Sequence, residues 1–277
     1  MNPYPQKKLK LACTIATQST ANAPVLLGGD LEKSIKTASE LGYHGVELHW
    51  ADPQQINLDR LLQFCDHYRI NVSAFATGRA YAKEGLSLIH EDRQVRHKAV
   101  SRLKNFIDAA VPFQAAVIIG CIRGNLAPDN DPHLIMERLA ESTHKVAKHA
   151  AAHNVSIVFE AINRYENNYL NTASETLDFI RKHQFPNTKV LLDTFHMNIE
   201  DPDLEQAILD SGDLLGYVHF ADSNRWYVGA GHIDFQKIMQ ALNRIGYDGY
   251  ISAECLPRPA SCIAAKQWID GVRKLIL

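Results

Sequence analysis

Apolar residues along the chain follow two alternating patterns. Short, mostly apolar runs predict strands, and longer segments in which apolar residues recur every three to four positions predict helices between them. The first helical segment, residues 31–41, is followed by Gly42, a typical helix C-terminal stop. The predicted strands lie at residues 10–15, 44–49, 71–76, 115–120, 155–160, 189–193, 215–220 and 249–254.

This alternation predicts an α/β fold with a parallel sheet, because parallel strands need crossover helices. Closure into a (β/α)8 TIM barrel is favoured, since such barrels usually take ~250 residues and the chain has 277. With no linker or low-complexity tract, residues 1–277 are expected to form one domain. The alternative is an open doubly wound sheet, but no predicted strand leads into a GxGxxG turn.

Composition excludes some classes of protein. A hydrophobic content of 46% and a charged content of 22% are ordinary for a soluble protein, and the net charge of −2 offers no basic field for nucleic acid. No run approaches the ~18 apolar residues of a membrane span, and no signal peptide is recognisable. Five scattered cysteines without a CxxC pair suit a reducing compartment. We therefore expect a cytoplasmic protein without a membrane or nucleic-acid partner.

The candidate chemistry lies at the ends of the last four predicted strands. In a TIM barrel, functional side chains gather at the C-terminal ends of the strands. Four successive strands end there with a side chain that can bind metal: Glu160, Asp193, His219 and Glu254. Each carboxylate alone could be a helix cap or an ion-pair partner, and His219 alone a core histidine. Their succession favours a shared site.

Two glutamates, one aspartate and one histidine form an oxygen-rich ligand set. It suits one Mn²⁺ ion per chain, with Mg²⁺ or Co²⁺ as alternatives, better than a structural zinc. A divalent ion chelating a ketone and the neighbouring hydroxyl would acidify the C–H between them. Glu160 and Glu254, facing each other across the half-barrel, could then remove and return the proton. His196 and Arg225 could donate hydrogen bonds to the oxygen that gains charge.

The motifs around these residues resemble a known family. "FEAINRYE", "LLDTFHMN", "HFADSNRW", "GAGHIDF" and "SAECLP" are similar to the xylose isomerase-like TIM barrels of the sugar isomerase and epimerase superfamily. Within it they are most similar to the D-tagatose 3-epimerase group. The stretches "GRAYAKEGLSLIH" (78–90) and "VIIGCIRG" (117–124) narrow the resemblance to 5-keto-L-gluconate epimerase.

The resemblance implies a metal-dependent epimerase of a ketose or keto sugar acid, acting through a metal-bound cis-enediolate. It places the metal ligands at Glu160, Asp193, His219 and Glu254, and the acid/base pair at Glu160 and Glu254. It places substrate contacts at Glu166, His196 and Arg225. It also implies a homodimer or homotetramer that binds a small sugar or sugar acid.

Other functions use similar barrels. An aldose–ketose isomerase, a dehydratase or a ketose-phosphate 3-epimerase could employ the same ion and bases. A non-catalytic sugar-binding barrel would not need two opposed glutamates. An endonuclease IV-like nuclease would need further histidines after the second, third and fourth strands, where only His49 is found.

Two arginines bear on the substrate. Arg79 and Arg123 both follow predicted strands and should approach the rim of the barrel. An arginine there favours a carboxylate or a phosphate through bidentate pairing. We therefore expect Arg123 to bind the carboxylate of a keto sugar acid, with loop anchoring as the alternative. Residues 83–96, which overlap the 78–90 stretch, are expected to form a lid over the site.

Overall fold

A parallel barrel organises the molecule, whose computed structural model describes residues 9–20, 22–129 and 131–276. Eight strands correspond to the eight predicted runs, and one further two-residue strand, β2, was not predicted from the sequence. The strands are β1 (Lys10–Ala16), β2 (Leu27–Gly28), β3 (Gly45–His49), β4 (Asn71–Ala76), β5 (Ala116–Ile119), β6 (Ile157–Glu160), β7 (Thr188–Asp193), β8 (Leu215–His219) and β9 (Tyr250–Ala253).

The sheet closes on itself. Apart from β2, which pairs with the C-terminal end of β1, each strand lies parallel to the next in chain order. The last strand returns to the first, with Ala253 of β9 opposite Cys13 of β1. The predicted (β/α)8 barrel is therefore confirmed.

Helices surround the barrel, and most of them begin at a polar cap. Asp30 accepts a hydrogen bond from the Lys33 amide at the start of the first helix, and Gly42 ends that helix in the left-handed conformation. No helix in the described ranges is long and apolar enough to span a bilayer. The helices are α1 (Leu31–Leu41), α2 (Leu58–Tyr68), α3 (Gly78–Glu84), α4 (Arg93–Ala110), α5 (Pro132–Ala152), α6 (Ala173–His183), α7 (Thr194–Glu200), α8 (Leu204–Ser211), α9 (Phe235–Arg244) and α10 (Ser261–Ile276).

A small apolar cluster fills the inside of the barrel and supports the site. It is separate from the large core between strands and helices, and consists of Ala74, Ala76, Ile118, Val158, Leu191 and Tyr217. Alternate residues of a strand face the same side. The inward residues that follow Val158, Leu191 and Tyr217 are therefore Glu160, Asp193 and His219. Strand periodicity thus delivers these three side chains to the top of the barrel interior.

Part of the segment expected to be a lid is packed into the protein. Residues 78–84 form α3, and residues 86–89 are buried, with Leu88 fully inaccessible to solvent. The amide of Leu88 donates to the carbonyl of Ile122 at 3.0 Å. The lid prediction is therefore wrong for residues 86–89, because their apolar side chains are part of the core.

Candidate metal and active site

Four side chains from neighbouring strands meet at the C-terminal end of the barrel. Glu160, Asp193 and His219 are the last residues of β6, β7 and β8, and Glu254 directly follows β9. All four are buried, and one ligand atom from each lies within 4.8 Å of the others. The structure thus brings together the four residues that the strand ends predicted as metal ligands.

The cluster has the features of a divalent-cation site. Asp193 Oδ2 and His219 Nδ1 are both buried without a hydrogen-bond partner, and they lie 3.9 Å apart. Burial, reinforced by the nearby Glu254 carboxylate, raises the pKa of Asp193 well above its ordinary value. Polar atoms without a partner and crowded carboxylates are costly in a buried site, and a divalent ion would compensate both costs. The residues present therefore fit such an ion.

Asp193 has two functions in the structure. Its Oδ1 accepts a hydrogen bond from the amide of Phe195 at 2.8 Å and so caps α7, while Oδ2 faces the cluster. The helix-cap interpretation and the ligand interpretation are therefore compatible, since each uses a different oxygen.

Glu47, which the sequence did not single out, orients His219. It is fully buried on β3, and its Oε2 lies 3.0 Å from His219 Nε2. Burial alone would raise the pKa of Glu47, but His219 and His49 hold it well below its usual range. A carboxylate at Nε2 directs the Nδ1 lone pair of His219 towards the cluster. The available signal was a glutamate inside an otherwise apolar strand, alternating with His49.

Nδ1 of His219 lies between the two candidate acid/base groups. It is 3.5 Å from Glu160 Oε1 and 3.4 Å from Glu254 Oε2. Burial raises the pKa of Glu160. Burial opposes ionisation of Glu254 as well, but His219 and Arg225 lower its pKa to about 2. The two glutamates thus share one centre in different electrostatic surroundings.

His196 is a buried hydrogen-bond donor beside the cluster. The side-chain amide of Asn163 donates to His196 Nδ1 at 2.6 Å, which leaves the proton on Nε2. Burial and the Arg225 charge hold the pKa of His196 well below its ordinary value, so the ring is neutral. Its Nε2 lies 3.8 Å from Asp193 Oδ2 and 3.9 Å from Glu160 Oε1. Asn163 is a second contributor that the sequence interpretation missed.

Arg225 contacts other predicted site residues along the cavity. It donates to Glu166 Oε1 and, at 3.4 Å, to Glu254 Oε2. Its guanidinium lies 4.8 Å from the centre of the Phe195 ring. Glu166, His196 and Arg225 all line the same cavity of about 210 Å³, together with Glu160, His219 and Glu254.

Arg123 does not join them, which corrects the expectation that it binds a substrate carboxylate. Its three guanidinium nitrogens donate to Asn167 Oδ1 and to the carbonyls of Glu160, Tyr169 and Leu170. The side chain is completely buried and does not line the cavity. Arg123 is a loop anchor, because protein oxygens already occupy its donors.

Arg79 also lines the cavity, at the start of α3. Its Nη1 donates to the carbonyl of His49 at 3.3 Å. Partial burial lowers its pKa, and within the described part of the chain no carboxylate forms an ion pair with it. After the third and fourth strands of the barrel, β4 and β5, the cavity is lined by Thr77 and Gly120, where the nuclease alternative needs histidines.

Comparisons with known proteins agree with this geometry. An L-ribulose 3-epimerase of Methylomonas sp. (strain DH-1) is 33% identical over 229 residues, which cover 80% of this chain and 77% of that protein. A ketose 3-epimerase of Arthrobacter globiformis is 30% identical over 224 residues, covering 80% and 76%. The crystal structure of D-psicose 3-epimerase with D-tagatose from Clostridium cellulolyticum H10 is 26% identical, with a TM-score of 0.78 and coverage of 97% and 94%.

The relatives confirm the predicted enzyme class, carbohydrate epimerase, while the narrower resemblance to 5-keto-L-gluconate epimerase stays a prediction. The family model described as "Xylose isomerase-like TIM barrel" matches residues 35–275. The chain therefore belongs to the xylose isomerase-like TIM-barrel family.

Proposed function

We propose that the protein is a divalent-metal-dependent ketose 3-epimerase. The observation that carries this proposal is the convergence of Glu160 and Glu254 on His219 Nδ1, next to the unpartnered Oδ2 of Asp193. Two carboxylates at one buried centre provide a base and an acid for the same carbon atom. The relatives, named as ketose and L-ribulose 3-epimerases, support the same reaction.

Glu160, Asp193, His219 and Glu254 would hold the ion. The oxygen-rich set favours Mn²⁺, with Mg²⁺ and Co²⁺ as alternatives. When bound, the ion would withdraw electrons from the ketone and the adjacent hydroxyl of the sugar, and so acidify the C–H bond at C3.

The chain's own residues would move the proton. One glutamate takes the C3 proton and leaves an enediolate across C2 and C3. The other glutamate then delivers a proton to the opposite face of C3, which forms the epimer. The reaction is balanced, because one C–H bond breaks and one forms at the same carbon.

His196 and Arg225 would stabilise the charge that develops. His196 is neutral with its proton on Nε2, so it can donate to a substrate oxygen. Arg225, held by Glu166 and packed on Phe195, presents a fixed guanidinium at the cavity wall. Donors that are already oriented in a buried site stabilise developing charge without reorganising.

Exchange in D₂O tests the reaction. Metal-free and Mn²⁺-loaded protein are incubated with a panel of ketoses and keto acids, and deuterium is located by NMR. We expect deuterium at C3 of both epimers, and only in the loaded protein. Deuterium at C1, with an aldose as product, would instead identify an aldose–ketose isomerase.

A keto sugar acid, such as 5-keto-L-gluconate, is a second candidate substrate. Arg79 supports it, since this cavity-lining cation has no carboxylate partner among the residues described. A substrate carboxylate could pair with its guanidinium. The names of the relatives favour neutral ketoses.

Arg79→Met separates the two substrates. If the acid is the substrate, kcat/KM for 5-keto-L-gluconate should fall at least tenfold while values for neutral ketoses hold. Lys83→Met, an exposed change on the same helix, is the control. An unchanged ratio of the two kcat/KM values in Arg79→Met would rule out recognition of the acid by Arg79.

The homodimer or homotetramer expected from the resemblance is also a proposal. Light scattering of the purified protein measures the mass of the assembly, and a mass of one chain would exclude both states.

A further inference from the structure

A second group of metal-competent side chains lies at the other end of the barrel. Asp108 is in the last turn of α4, His149 is in the last turn of α5, and His153 caps the C-terminus of α5. In a (β/α)8 barrel the helices run opposite to the strands, so helix C-termini lie at the end remote from the strand C-termini. This cluster is therefore distinct from the site at Glu160 and its neighbours.

The three side chains face one another. His149 and His153 are four residues apart on one helical face, with ring centres separated by 4.4 Å. His149 Nε2 lies 2.6 Å from Asp108 Oδ1, and His153 Nε2 lies 4.0 Å from the same oxygen. One atom from each residue lies within 4.8 Å of the others.

A hydrogen bond prepares His153 to bind a cation. Its Nδ1 lies 2.9 Å from the backbone carbonyl of His149, which can only accept, so Nδ1 carries the proton. The lone pair is therefore on Nε2, the atom that faces Asp108. Metal-binding histidines are commonly fixed in this way, by a carbonyl at the other ring nitrogen. The negative ends of the α4 and α5 dipoles also favour a cation here.

We propose that Asp108, His149 and His153 form a second metal site, which binds a zinc-class ion and cross-links α4 to α5. Two imidazoles and one carboxylate suit Zn²⁺ better than the oxygen-rich cluster inside the barrel does. Tetrahedral Zn²⁺ with bonds of ~2.0–2.1 Å needs ligand atoms about 3.3 Å apart.

Small side-chain movements bring both histidines to that distance from Asp108. The contact of 2.6 Å must open, and the contact of 4.0 Å must close, by about 0.7 Å each. The side chains of Asp108, His149 and His153 are 53%, 25% and 40% exposed, so an ion can enter and water can complete the coordination. An Asp–His ion pair alone would account for His149 but not for the prepared Nε2 of His153.

Zinc titration of the full chain tests the proposal. The protein is first saturated with Mn²⁺ and then titrated with Zn²⁺ by calorimetry, and both metals are counted by mass spectrometry. We expect wild type to bind one more Zn²⁺ per chain than His149→Ala/His153→Ala. His133→Ala, a change of an exposed histidine at the start of α5, should bind like wild type.

The comparison between variants decides the result even if Zn²⁺ displaces Mn²⁺. Displacement at the buried cluster affects both proteins equally, so the difference in stoichiometry reports the outer site alone. Zn²⁺ should also raise the unfolding midpoint of wild type by more than that of the double variant. Equal zinc stoichiometry in both proteins would overturn the proposal.

A second variant guards against a folding defect. If circular dichroism shows that the double variant is misfolded, His153→Ala alone provides the same comparison, because it removes only the more exposed imidazole. Turnover with Mn²⁺ should be unchanged in His153→Ala. If wild type and all these variants lack epimerase activity, that result contradicts the proposed function but not the proposed zinc site.

Discussion

The two ends of the barrel carry clusters that differ in composition and burial. Glu160, Asp193, His219 and Glu254 form a buried, mostly acidic group, whereas Asp108, His149 and His153 form a half-exposed group with two imidazoles. Burial of the first cluster makes its charges costly. Its polar atoms therefore either have hydrogen-bond partners or, like Asp193 Oδ2, would be stabilised by a bound cation. The second cluster is partly exposed, so water can solvate it without an ion. Burial, more than ligand count, distinguishes a site for chemistry from a surface binding site.

Among the variants of the buried and outer regions, Glu254→Gln should have the largest effect. We expect kcat to fall by about 10³-fold, because an amide cannot accept or return a proton. Mn²⁺ affinity should fall less than in Asp193→Ala, since the amide oxygen can still coordinate. Turnover assays and Mn²⁺ titration measure the two effects, and near-normal epimerisation would contradict the two-base scheme.

Arg123→Met should change stability rather than specificity. Removal of the guanidinium leaves the buried carbonyls of Glu160, Tyr169 and Leu170 without their donor. We expect the free energy of unfolding to fall by about 3 kcal/mol, as measured by urea denaturation. Arg60→Met removes an ion pair with Glu32 in which both side chains are exposed, and it should cost much less. An unchanged stability together with a lost preference for acidic substrates would return Arg123 to a binding role.

Glu47→Gln tests the carboxylate that orients a ligand of the buried cluster, where the outer cluster uses a backbone carbonyl. The neutral amide holds the Nε2 proton of His219 more weakly, so Mn²⁺ affinity should fall by about 10–100-fold. The exposed change Glu40→Gln is the control. Loss of kcat at saturating Mn²⁺, with unchanged Mn²⁺ affinity, would show that Glu47 acts otherwise than by orienting a ligand.

Asp201→Asn should have the smallest effect, on stability alone. Burial raises the pKa of Asp201 from 3.8 to about 6, and its Oδ2 has no hydrogen-bond partner. The folded state therefore binds this proton more tightly than the unfolded state does. The resulting stabilisation is complete below about pH 4 and is lost as the pH rises to about 6.

The Asp201→Asn variant has no such ionisation, because its amide stays neutral at every pH of the experiment. At pH 8 its Tm should exceed that of wild type by roughly 2–4 °C, and the advantage should disappear at pH 4. Calorimetric scans at both pH values measure this, and an advantage independent of pH would exclude the titration of Asp201 as its cause.

The sequence by itself determined the barrel and most of its buried site. Strand and helix periods are local properties, and eight alternations leave little choice of topology. Because functional residues in a barrel lie at strand ends, those ends predicted Glu160, Asp193, His219 and Glu254, which the structure brings together. The motifs around them added Glu166, His196 and Arg225, all of which line one cavity.

Only the tertiary structure decided where the remaining polar side chains go. Glu47 and His219 are 172 residues apart in the chain, so no local pattern pairs them. Arg79 and Arg123 both follow strands, yet one faces the cavity and the other is enclosed by carbonyl groups of a loop after β6. Residues 86–89 became core for a similar reason, since burial depends on what packs against a segment. The direction of a polar side chain is set by distant partners, which periodicity does not encode.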